Sequence, residues 1–144
     1  MAMALTSVGI AATMGAFEAA DKTLGRDVLA VRALAMAEAR IEAKCAVPWE
    51  LLLVDDFNHD GIAETMMRDD GTGGDHTAAD GIYSAMFEQQ GVKIVWTVAP
   101  QHPGPVDTAR AVVIEARGFY VAGGREREVR LATLRANSAF GGSR

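Results

Sequence analysis

The hydrophobic positions change rhythm twice along the chain. From Met1 to Phe17 no charged residue occurs, and Ala, Met, Leu, Val and Ile dominate, diluted by Gly9 and Gly15. From Phe17 to about Ala46 there is no proline. Leu24, Val28, Val31, Leu34, Ile41 and Cys45 recur there at spacings of three, four or seven, which predicts a helix with one apolar stripe. On that reading Arg40 and Lys44 lie on the charged side that meets solvent, and Cys45 is a small buried hydrophobe. Pro48 ends the helix by pushing Val47 toward extended geometry.

After Asp80 the period falls to two. Ile82 to Glu88 and Val92 to Ala99 flank Gln89, Gln90 and Gly91, and Val112 to Val121 and Glu126 to Leu134 flank Ala122, Gly123 and Gly124. Each pair predicts a hairpin, the glycines supplying positive φ. Pro100, Pro103, Gly104 and Pro105 forbid regular pairing between them. The predicted fold is α+β: a long N-terminal helix over 1–47, apolar over 1–17 and amphipathic over 18–47, packed on a four-stranded antiparallel sheet over 82–135. The pattern does not give the strand order. About forty residues of helix span about 60 Å, more than a small globule is wide, so the helix is expected to protrude from a head formed by 48–144.

Length and charge narrow the picture. A chain of 144 residues, 49% hydrophobic and 23% charged, has room for one domain and is not a disordered tail. The formal charge of -5 is unevenly placed. Acids and bases balance through Pro48, bases exceed acids beyond Gln90, and between them ten acids face only Arg68. The basic cluster Arg125, Arg127, Arg130 and Arg135 is interleaved with Glu126 and Glu128, which argues against nucleic acid as a partner. One cysteine cannot form an internal disulfide, and three scattered histidines give no Cys/His zinc spacing. The uncharged start is shorter than the about 20 residues of a membrane span and has no basic residue before Lys22, as a secretory signal would. It reads as a buried core helix or as the end of a longer apolar one.

The acidic segment, 55–81, carries the candidate chemistry. Asp56-Phe57-Asn58-His59-Asp60-Gly61 reads D-x-N-x-D-G, the opening of a calcium loop in which oxygens at positions 1, 3 and 5 converge and glycine makes the turn. Ile62 would offer its carbonyl at position 7 and Glu64 fits position 9, but Met67 stands where the bidentate acid is expected. Asp70, Asp75 and Asp80, five residues apart among glycines, could supply the missing ligand or hold a second ion. The competing reading is a solvated acidic loop of Asx and glycine turns. His59 and His76 read as exposed bystanders. No nucleophile elbow, P-loop or H-E-x-x-H occurs, and no apolar setting is in view to tune the paired carboxylates, so an enzyme is not expected.

A helix that starts apolar, turns amphipathic and leads into a small antiparallel sheet resembles a type IV pilin or pseudopilin. Ala2-Met3-Ala4-Leu5-Thr6-Ser7-Val8-Gly9-Ile10 resembles the stretch after the processed start of that family. Ala37-Glu38-Ala39-Arg40-Ile41-Glu42 is similar to the helix end of minor pilins, and Arg127 to Asn137 to their last strand. Asp69 to Tyr83 looks like an aspartate-glycine segment of secreted bacterial domains. The family's cleavage site and N-terminal glutamate do not occur in this sequence. The resemblance implies a structural subunit of a type IV pilus or related filament. Leu5, Val8, Ile10, Met14 and Phe17 would form its assembly helix, held in the bacterial inner membrane before packing against other subunits. It also implies calcium as a restraint on the loop in place of a disulfide. A type II secretion pseudopilin and a free-standing calcium-dependent binding or adhesion module are the alternatives.

Overall fold

The computed structural model describes residues 28–57 and 60–140. Helix α1 covers 28–46 and ends just before Pro48. A 3-10 turn, Trp49–Leu51, leads into a two-stranded antiparallel ribbon of β1 (Val54–Asp55) and β2 (Thr65–Met66). A four-stranded antiparallel sheet follows, in the order β3 (Tyr83–Gln89), β4 (Val92–Pro100), β5 (Ala111–Ala122), β6 (Arg125–Ala136). Sequence order and spatial order are the same, so the sheet is a meander. The two hairpins close on Gln90-Gly91 and Gly123-Gly124, all four residues at positive φ, as a two-residue type I′ turn requires. The expected long N-terminal part of the helix, over 1–27, lies outside the described residues.

Alternation sets the core. Val92, Ile94, Trp96 and Val98 of β4 and Val112, Ile114 and Ala116 of β5 turn toward α1 and are fully or nearly fully buried. The helix meets them with a stripe rotated from the one expected. Ala33 and Ala37 are fully buried and Leu29, Met36 and Ile41 pack beside them, whereas Val31 is 66% exposed and Val28, Leu34 and Cys45 also face outward. The physical reason is close approach. A Cβ built on Gly118 would lie 2.9 Å from the Ala33 carbonyl oxygen and 3.0 Å from Val129 Cγ2, so only the small residues of α1 fit against β5. Bulky Val31 and Leu34 would hold the helix off the sheet.

Lys44 and Arg40 correct the expected solvent side. Lys44 is buried because Nζ donates to the carbonyls of Leu52 (2.8 Å) and Val54 (3.0 Å) and pairs with buried Asp55 at 2.9 Å. Arg40 stacks over Phe57 and Trp96, and the Trp96 Nε1–H donates to Asp55 Oδ2. The last turn of α1 is tied to the far strand by Arg135, which donates to the carbonyls of Lys44 and Val47.

Candidate metal centre

Each half of the acidic segment folds onto its own carboxylates. In the first half, the Asp56 carboxylate accepts from the Asp60 N–H (3.2 Å) and the Gly61 N–H (2.8 Å), and Asp60 Oδ1 accepts from the Ile62 N–H. Gly61 sits at φ 87°, a conformation that favours glycine, which is what its place in the D-x-N-x-D-G pattern anticipates. Glu64 Oε2 accepts from the Phe57 N–H at 2.6 Å, bringing the loop's ends together. One carboxylate oxygen each from Asp56, Asp60 and Glu64 then lie within 4.8 Å of one another. Asn58 lies outside the described residues, and Ile62 is exposed. Met67 is a core residue, 3% exposed, and the loop is framed by the β1–β2 ribbon rather than by two helices, so it is not an EF-hand.

The second half lies over the outer face of the sheet. Gly74 is packed so tightly on Val95 that any Cβ would overlap its Cγ1, the Ser84 hydroxyl donates to the Thr72 carbonyl, and Arg117 Nη2 reaches the Gly74 carbonyl at 3.4 Å. Asp69 accepts from the Asp80 and Gly81 N–H groups and closes the loop on itself. Asp75, 3% exposed, accepts from the N–H groups of Gly71 (2.7 Å) and Thr77 (2.9 Å). The Thr77 hydrogen bond, aided by that of Gly71, holds its carboxyl below the ordinary 3.8.

The carboxylates that converge here are Asp69, Asp75 and Asp80, again within 4.8 Å. Asp69, and not Asp70, is the first member. Asp70 Oδ1 is engaged locally by the Thr72 N–H and hydroxyl. The Asp-Gly-Thr run is the sequence signal for that Asx turn, whereas equal spacing of the aspartates had singled out Asp70 in place of Asp69.

Asp55, which opens the acidic segment, belongs to neither group; it serves Lys44 and Trp96. Two groups of three hard oxygens could each hold a metal ion. Compared with protein-family models, curated proteins and solved structures, the chain matches none. No helix among the described residues is long and apolar enough to cross a membrane.

Proposed function

We propose that this chain is a minor pilin-like subunit of a bacterial type IV pilus or related filament, held in the inner membrane before it assembles with other subunits through its N-terminal helix. One observation carries the reading. α1 buries Ala33 and Ala37, with Leu29, Met36 and Ile41 beside them, and leaves Val28, Val31 and Leu34 exposed, on a helix that follows the uncharged stretch 1–17 in sequence after the charge-bearing residues 18–27. Exposed apolar residues at helical spacing, downstream of an apolar segment, are what lateral packing of subunits would consume. The full chain is therefore expected to need detergent, and a chain lacking residues 1–17 to be soluble without it and monomeric when dilute. A full-length soluble monomer would overturn the proposal.

The cation reading belongs to the head of the same subunit. Calcium takes six to eight oxygens in irregular loops, and each carboxylate group would be completed by loop carbonyls and water, whereas magnesium demands a stricter octahedron. Bound calcium would order 56–80 and fix how the head docks. Ligation of the native state alone raises stability, so the thermal midpoint is expected to rise between excess chelator and millimolar calcium. An unchanged midpoint removes calcium from the proposal. A type II secretion pseudopilin would share these properties. The two carboxylate groups favour a second reading, a free-standing calcium-dependent binding or adhesion module, for which 1–17 would be a core helix.

A further inference from the structure

The outer strand β6 is an open edge twelve residues long: among the described residues it pairs only with β5. The type I′ turn at Gly123-Gly124 makes Ala122 and Arg125 a hydrogen-bonded pair. By alternation, Glu126, Glu128, Arg130, Ala132, Leu134 and Ala136 turn their N–H and C=O groups away from β5, and all six are exposed. No proline interrupts this edge, and its four arginines and two glutamates let a copy of itself pair without repulsion only in a register that opposes unlike charges.

We propose that β6 pairs antiparallel with β6 of a second copy of this chain, about a two-fold axis at Val129, extending the sheet to eight strands. The register follows from charge. An axis at Val129 sets Glu128 opposite Arg130 of the other copy on both sides of the axis, and Glu126 opposite Ala132. An axis at Glu128 or Arg130 would face like charges across it, and one at Leu131 would bring Arg127 against Arg135. Only the Val129 axis pairs opposite charges without facing like ones. The helices do not obstruct it. α1 lies over β5 at Gly118, and the two β5 strands would be three strand spacings, about 14 Å, apart, beyond the 8–10 Å of direct helix packing. A strand pair buries less than the about 1,200 Å² of a stable complex, so the pair forms with rising concentration. The axis sets the helices antiparallel. Pairing at β6 and a filament of parallel helices are thus alternative states of the subunit, and the inference stands apart from the filament proposal.

Residue-specific crosslinking of the full chain tests it. In a Cys45→Ala background, Glu126→Cys and Ala132→Cys copies are prepared separately; both positions are exposed and outside the core. Opposed residues in a hydrogen-bonded pair lie about 5.5 Å apart at Cα, within disulfide reach, whereas two copies of residue 126, or of residue 132, lie about 20 Å apart along the strand. Mild oxidation of the mixture is expected to give a linked dimer that neither variant gives alone. Adding Glu128→Arg to both, which sets arginine against Arg130, is expected to abolish it. Equal linking in the mixture and in the single variants, or none at high concentration, would overturn the pairing, and neither outcome depends on whether residues 1–17 assemble a filament.

Discussion

Lys44 shows how one side chain can bind three elements together. Its ammonium joins α1 to the segment after the 3-10 turn through the Leu52 carbonyl and to β1 through the Val54 carbonyl and Asp55, while Asp55 also accepts from Trp96 in β4. Burial pulls the Lys44 ammonium below its ordinary 10.5, and the Asp55 charge opposes that pull. Removing one partner leaves the other charge buried and poorly paired, because Arg40 stands 3.9 Å from Asp55. Lys44→Ala is therefore expected to cost about 3–5 kcal/mol in chemical denaturation.

The hydrogen bonds to the Asp75 carboxylate make its contribution to stability depend on pH. Its native carboxyl binds a proton less readily than the unfolded one, so the stabilisation is present above 3.8 and is lost as pH falls through the lower native value. Urea midpoints followed downward from about pH 5 should fall less steeply for Asp75→Asn than for the parent chain. The buried pairing of Lys44 was not legible in the sequence, where helical spacing put it with Arg40 on the wet side. Its partner lies beyond a proline and a turn, and local period carries no information about that.

At the scale of elements, helix and sheet are held at a spacing set by Gly118, and loop and sheet at one set by Gly74. Gly118→Ala must push α1 outward from β5 by meeting the Ala33 carbonyl and Val129, and is expected to lower stability by about 1–3 kcal/mol. Gly74→Ala should instead lift 69–81 from β4, which faster amide exchange over 71–78 would report while the helix–sheet core stays protected. The strands were legible because alternation is a local property. Each strand of the four-stranded sheet lies within a residue or two of its expected bounds, whereas the two-residue strands β1 and β2 were not expected. The helix was legible as a helix but not in its orientation. Its branched residues are the stronger candidates for a core face by hydrophobicity, and the glycine on β5 explains why Ala33 and Ala37 face the sheet.

For the whole molecule, one α+β layer pair carries an acidic segment divided between two places, the ribbon beside the core and the outer face of the sheet. If both carboxylate groups bind calcium, Asp60→Asn and Asp75→Asn should each reduce, and together remove, the rise in thermal midpoint with calcium. A rise that survives both changes would place the ion elsewhere.

Periodicity, prolines and turn glycines were enough to determine the helix, two hairpins and a helix-on-sheet fold, because these depend on residues near one another in sequence. Clustered charge likewise marked where a cation could sit. The face of α1 that is buried, the choice of Asp69 over Asp70, the meander order and the open edge of β6 were decided by the tertiary structure. Each depends on how closely distant backbones approach and on which donors are already satisfied. Those are properties of contacts between residues far apart in the chain, and no local pattern encodes them.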